Sequence, residues 1–133
     1  GFIVIMNPAL QLKISRDARR KSDLKQIQAA LELYRADQSS YPNPSSSNSV
    51  AICSGITLAV PCSGGSSVAY LQSVPRDPNT GGHYYYCTSS CTSVNSYRIY
   101  TCLENTGDRD ARGGPVTGFN CPSNRVYFYV ESP

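Results

Sequence analysis

The side chains of this sequence that could do chemistry are six cysteines and a single histidine, His83. One histidine excludes a multi-histidine metal site and most histidine-based catalysis. His83 stands where a turn leads into a strand with no nucleophile beside it, so we expect no enzymatic activity. The sequence contains one CxxxC motif, formed by Cys87 and Cys91, and no CxxC motif. This spacing also disfavours a zinc site. With only 16% charged residues, the cysteines instead indicate an exported, disulfide-bearing domain.

The six cysteines are expected to form disulfides, although several connectivities are possible. Pairing between neighbours along the sequence is the simplest arrangement. It gives the pairs Cys53–Cys62, Cys87–Cys91 and Cys102–Cys121. The last pair would close a loop of roughly 20 residues, for which the chain-entropy model gives a stabilisation of about 3 kcal/mol.

One long helix is predicted from Pro8 to about Asp37, because good helix formers dominate and neither glycine nor a further proline interrupts them. An apolar stripe with 3-4-3 spacing in its C-terminal half should lie on a core. The stripe consists of Leu24, Ile27, Leu31 and Tyr34. Such a helix would be ~45 Å long, whereas the remaining residues would form a body only ~32 Å across. We therefore expect the helix to project beyond its own domain.

The projecting end of the helix is predicted to be a handle for a membrane or for other subunits. Residues 1–6 are apolar but too few to span a bilayer, which takes about 20 residues. They look like the end of a longer apolar stretch, and the alternative is a hydrophobic start that folds onto the domain. The candidate assembly residues are Phe2, Ile3, Ile5, Met6, Pro8, Leu10, Ile14, Arg16, Arg19 and Arg20.

The net charge of +3 lies entirely within residues 1–37 and leaves residues 38–133 neutral. A basic cluster on the helix carries it, formed by Arg16, Arg19, Arg20, Lys21 and Lys25. The cluster is either a solvated face with i,i+4 pairs such as Asp17–Lys21, or a contact with other subunits or lipid headgroups. Nucleic-acid binding is the least favoured interpretation, because no aromatic residues alternate with the cations.

The fold class predicted for the chain is α+β: a long N-terminal helix (domain 1–37) packed on a small antiparallel sheet in a globular head (domain 38–133). Aromatic and β-branched residues favour three strands. The strand candidates are His83–Thr88, Ser96–Leu103 and Arg125–Glu131. Residues 39–68 are predicted to form a long loop, and residues 68–74 a short helical turn.

Ten tyrosines are present, mostly in the strand candidates. We expect them to pack the sheet, since tyrosine combines an apolar ring with a polar tip. A sugar-binding or surface-binding patch is the alternative, built from Tyr84, Tyr86, Tyr127 or Tyr129.

Several stretches, taken in order, resemble bacterial type IV pilins and pseudopilins. The similarity covers about residues 1–42, 70–86 and 97–105, and its middle part is closest to the major pseudopilins of type II secretion. The motifs that carry it are Asn7-Pro8-Ala9, Arg16 to Ile27, Ala30 to Tyr34, Tyr41-Pro42, Val74 to Pro78, Tyr84-Tyr85-Tyr86, and Tyr97 with Leu103-Glu104-Asn105.

The resemblance implies a structural subunit that polymerises through its N-terminal helix into a type IV pilus-like extracellular filament. Its partners would be further copies of itself (a homo-oligomer) and other pilins, and the inner membrane would hold it before assembly. Family members begin with a longer apolar helix, cleaved by prepilin peptidase and N-methylated. Because Pro8 matches the proline of that helix, the chain is expected to lack its first part. The alternatives are an adhesive or DNA-binding tip pilin and a pseudopilin of a type II secretion system.

The resemblance also implies a calcium ion in a loop near Asp108 and Asp110. Their carboxylates would supply oxygen ligands, but the spacing lacks a full oxygen set and Arg109 stands between them. We therefore expect a solvated turn here, and no cofactor.

Overall fold

The computed structural model describes residues 7–42, 52–53, 69–71, 73–88 and 95–133. Four of the candidate assembly residues and two of the cysteines lie outside these ranges: Phe2, Ile3, Ile5, Met6, Cys62 and Cys91. In chain order, the elements are α1 (Pro8–Gln38), β1 (Ile52–Cys53), β2 (Ala69–Leu71), β3 (Tyr85–Cys87), β4 (Arg98–Leu103) and β5 (Val126–Glu131).

The predicted long helix is confirmed as α1, which has 31 residues. Its N-terminus is capped by the side chain of Asn7, which accepts hydrogen bonds from the backbone N–H groups of Ala9 and Leu10. Pro8 occupies the first turn, where its missing N–H leaves no helical hydrogen bond unmade. The helix ends at Gln38. The cap residue Ser39 donates its N–H to the carbonyl of Arg35, and its left-handed backbone (φ 62°) turns the chain out of the helix.

The predicted antiparallel sheet is confirmed, and its strand order is β3-β4-β5. A second sheet joins β1 to β2 where the sequence suggested a loop and a helical turn. The prediction of a helical turn over residues 68–74 is therefore wrong at Ala69–Leu71. A single helical turn is costly to nucleate, whereas pairing with β1 satisfies backbone groups of both short segments.

The core lies between α1 and one face of the three-stranded sheet. All four residues of the predicted helical stripe are buried, and Leu24 and Leu31 are fully enclosed. The helix packs on alternate residues of β4 and β5, which share a face because strand side chains alternate. The sheet residues in this core include Ile99, Leu103, Phe128 and Val130.

The other face of the sheet is covered by residues 104–124, which lie between β4 and β5. Tyr100 points to this face, away from Ile99, yet only 1% of it is exposed. The ring of Phe119 stacks on Tyr85, with 5.3 Å between centroids, and lies 5.8 Å from Tyr100. The sheet is therefore covered on both faces, by α1 on one side and by this long segment on the other.

The four tyrosines considered for a binding patch do not lie together. The hydroxyl of Tyr84 donates to Asp23 on α1, and that of Tyr86 donates to the carbonyl of Pro42, so both belong to the helix side. Tyr127 and Tyr129 flank the core residue Phe128 in β5 and therefore face the opposite way. The four tyrosines therefore do not form one patch, because the sheet separates Tyr84 and Tyr86 from Tyr127 and Tyr129.

Candidate functional site

The first turns of α1 project from the body. Every residue from Asn7 to Ser15 is exposed, including the candidate assembly residues Pro8, Leu10 and Ile14. Leu12 is 59% exposed on the opposite side of the helix from Leu10. An uncovered apolar helix end is costly for a lone subunit in water, because apolar surface gains free energy when it is buried. This end is thus a candidate surface for burial against other molecules.

A buried ion network marks the point where the helix reaches the body. We use this name for Arg16, Asp17, Arg20, Asp77 and Glu104. The guanidinium of Arg20 is fully buried and makes four hydrogen bonds, all to carboxylates. Two of them bind Asp77 in a fork, at 2.6 and 3.0 Å, and the others bind Asp17 and Glu104, both at 2.7 Å.

Two carboxylates of the network, those of Asp17 and Asp77, also accept hydrogen bonds from backbone N–H groups of the body. Asp17 accepts the backbone N–H groups of Glu104 and Asn105, at 2.9 and 2.8 Å, and so holds the end of β4. Asp77 also accepts the N–H groups of Asn79 and Thr80, and so holds the turn before β3. The helix is therefore fastened to two separate loops through one arginine.

The charges of the network stabilise one another. The hydrogen bond from Arg16 (2.6 Å), together with Arg20, lowers the pKa of Glu104 to about 2 although burial opposes the shift. Burial alone would raise the pKa of Asp77, but the hydrogen bonds from Arg20 outweigh it and hold that pKa well below its usual range. Glu104 and Asp77 are therefore ionised at neutral pH, and their pairing with the arginines makes the network a structural joint.

The basic cluster predicted from the sequence divides into buried and exposed members. Arg20 is buried and Arg16 is half-buried, whereas Arg19 and Lys25 are exposed. The predicted Asp17–Lys21 pair is wrong, because Asp17 binds Arg20 and Lys21 reaches across to the body. Helical spacing allows the Asp17–Arg20 pair, which is i,i+3, but it cannot reveal the partner of Lys21, which lies 87 residues along the chain. The signal available in the sequence was the turn-forming stretch around Asp77, in which an aspartate is a favoured residue.

Lys21 binds the two aspartates for which the resemblance implied calcium. Its ammonium lies 2.8 and 2.7 Å from the two carboxylate oxygens of Asp108 and 2.8 Å from one of Asp110. Within the described ranges, no group of three or more histidine, cysteine or acidic side chains could hold a metal ion. A calcium ion therefore does not fit here, and the expected solvated turn is instead an ion pair with the helix.

His83 lines an open cleft of about 400 Å³ between the turn before β3 and the segment after β4. Burial lowers the pKa of His83, and the charge of Arg76 lowers it further. Cys102 also lines this cleft, but its sulfur is bonded to Cys121. Cys102 therefore offers no free thiol to this cleft.

The disulfide Cys102–Cys121 joins β4 to the far end of the covering segment, 19 residues later. It is one of the three neighbour pairs expected from the sequence. Cys87 is also disulfide-bonded; its expected partner, Cys91, lies outside the described residues. The side chain of Cys53 and all of Cys62 lie outside them too.

A long helix that projects from a small antiparallel sheet, with a disulfide in the head, defines a pilin-like subunit. The family model of type II secretion system protein G matches residues 9–115, and the chain belongs to this family. No curated protein and no solved structure matches the chain.

The family indicates the kind of role that the chain has. Protein G is the major pseudopilin of the type II secretion system, a structural and non-enzymatic subunit that assembles with other pseudopilins into a filament. In the part of the chain that the structure describes, α1 does not contain an apolar stretch long enough to cross a membrane.

Proposed function

We propose that this chain is a pseudopilin that polymerises through the N-terminal end of α1 into the filament of a type II secretion system. The exposure of the helix from Asn7 to Ser15 is the observation that carries the proposal. Leu10 and Ile14 share one face of this segment and are 40% and 42% exposed, whereas Leu12 is 59% exposed on the opposite side. Apolar side chains on two opposite sides of a helix can both be buried when the helix packs inside a bundle of neighbouring helices.

The ion network supports the same role, because it fixes the direction in which the helix leaves the body. A subunit of a helical filament must present its contact surfaces in one geometry, since any other rotation fails to repeat. Arg20 and Asp17 hold the helix at the boundary between its packed and exposed parts. The projecting end is therefore carried on a rigid base.

The exposed cations of the helix supply a second candidate contact. Arg19 and Lys25 are exposed. We assign them to contacts with neighbouring subunits in the filament or with lipid headgroups before assembly.

The proposed location follows from assembly. The inner membrane would hold the subunit before polymerisation, and the filament would lie outside that membrane with the head domains on its surface. Disulfides such as Cys102–Cys121 suit this oxidising side.

The experiment that tests polymerisation places charge on the projecting helix. The double variant Leu10→Glu/Ile14→Glu should assemble no filaments, measured by electron microscopy of sheared material from cells that carry a type II secretion system. The matched control is Leu33→Glu, because Leu33 is 58% exposed at the other end of the same helix. Filaments of normal number from the double variant would overturn the proposal.

The composition of the filaments separates a major subunit from a tip protein. As a major pseudopilin, the chain should dominate the protein content of purified filaments, measured by quantitative mass spectrometry. A chain present at only a trace of the total would contradict the major role and support the tip alternative.

A further inference from the structure

We propose that the Lys21 ammonium is the resident cation of the loop 104–112, and that this loop is ordered independently of calcium. The position is the one for which the family resemblance implied a calcium ion. The inference concerns the fold of the subunit and does not rest on the proposed polymerisation.

The first argument is the saturation of the ammonium. A lysine side chain has three N–H donors, and Lys21 makes three contacts of 2.7 to 2.8 Å with carboxylate oxygens. Asp108 binds with both oxygens and is tied to the next turn, because one of them also accepts the N–H of Asp110. The carboxylates are therefore already organised around a positive charge.

The second argument is competition for the same oxygens. Calcium takes six to eight oxygen ligands at 2.3–2.6 Å, so it would have to displace Lys21 and find further ligands. Displacement would move an ammonium that lies 5.8 Å from the ring of Phe128 and is only partly exposed. It would also leave a lysine without its two carboxylates.

The third argument is the local charge. The cleft beside Lys21 is lined by three further cations, Lys25, Arg109 and Arg112. Like charges at this range raise the free energy of an added divalent cation. The surroundings of Asp108 and Asp110 thus disfavour calcium even before Lys21 is considered.

The fourth argument is that both ends of the loop are held without a metal. Asp17 binds the N–H groups of Glu104 and Asn105, where the loop begins. At the other end, the N–H of Arg112 donates to the carbonyl of Tyr127 in β5. Lys21 fixes the middle, so each part of the loop has an anchor within the chain.

The first test uses the unmodified 133-residue chain with calcium chloride alone and with a chelator. We expect the same Tm with millimolar calcium and with EGTA, and no heat of calcium binding by titration calorimetry. A Tm that rises with calcium and falls with EGTA would overturn the inference.

The second test removes the ammonium. Lys21→Met keeps the length of the stem but loses the charge, and we expect a Tm lower by roughly 5 °C together with faster hydrogen exchange of the loop amides. Lys25→Met is the control, because Lys25 is exposed one helical turn further along. If Lys21→Met melts and exchanges like this control, Lys21 is not the cation of the loop. The calcium test on the unmodified chain stands whether or not the variant folds.

Discussion

Arg20 on α1 and Asp77 in the turn before β3 form a forked ion pair, with Nε–Oδ2 at 2.6 Å and Nη2–Oδ1 at 3.0 Å. Because a planar fork fits a carboxylate in one orientation, the pair fixes the rotation of the helix as well as its distance from the turn. Arg20 is fully buried, so its charge is solvated by these carboxylates and not by water.

Replacing Arg20 should therefore be among the most damaging single changes in this chain. Arg20→Met leaves Asp17 and Asp77 buried without their cation, and breaking a buried ion network in this way costs about 3–5 kcal/mol. The free energy of unfolding, measured by urea denaturation, should fall by that amount. Arg19→Met is the control, because Arg19 is exposed and should change stability by no more than about 0.5 kcal/mol. Equal stability of the two variants would contradict the network's role.

Acid should destabilise the fold through Glu104. Its pKa is about 2 in the folded chain against an ordinary value of 4.5, so the unfolded chain binds the proton more readily. The stabilisation is complete above about pH 4.5 and is lost as the pH falls toward 2. Free energies of unfolding measured from pH 7 down to pH 2 should show this decline.

The variant Glu104→Gln identifies the group responsible. It should be less stable at pH 7, and its stability should fall less steeply between pH 4.5 and 2. Glu131→Gln is the control, because the side chain of Glu131 is 42% exposed. An unchanged acid profile in Glu104→Gln would show that other groups cause the decline.

Gly113 should tolerate no side chain, whereas its neighbour Gly114 should. Gly113 has a φ of +101°, and a Cβ built there would lie 3.0 Å from a ring carbon of Tyr129. Gly113→Ala should therefore lower the free energy of unfolding by about 1–3 kcal/mol. A Cβ on Gly114 meets nothing within 4 Å, so Gly114→Ala is the matched control. A Gly113→Ala variant as stable as this control would mean that the segment can move away from the sheet.

Removal of the disulfide Cys102–Cys121 should loosen the covering segment. The bond closes a loop over a sequence separation of 19, and the chain-entropy model gives a loss of about 3 kcal/mol for the double variant Cys102→Ser/Cys121→Ser. Thermal unfolding without reductant measures this loss. Hydrogen exchange should rise in residues 104–124 and stay unchanged in the core of α1. Uniform loosening of both regions would show that the bond supports the whole fold.

The helix and the three strands could be predicted from the sequence, because their signals are local. The spacing of Leu24, Ile27, Leu31 and Tyr34 marks one face of a helix, and the structure buries all four. The Cys102–Cys121 bond could be anticipated for a similar reason, since its partners are neighbours among the cysteines.

The ion network could not be predicted in this way. The partners of Arg20 on the body lie 57 and 84 residues along the chain, and helical spacing carries no information at that range. Tyr100 shows a related limit: it lies on the sheet face away from the helix, yet it is almost fully buried because the segment after β4 folds back over that face. Contacts made by loops across the fold depend on where each loop ends in space, which no local pattern records.

The place of the ion network along α1 has a mechanical consequence. The exposed turns end at Ser15 and the network begins at Arg16, so tension on the projecting end enters the head first through these charged side chains. From Arg20 the load divides between the turn at Asp77 and the end of β4 at Glu104. Tension along the projecting helix would thus strain these ion pairs before it strains the hydrophobic core.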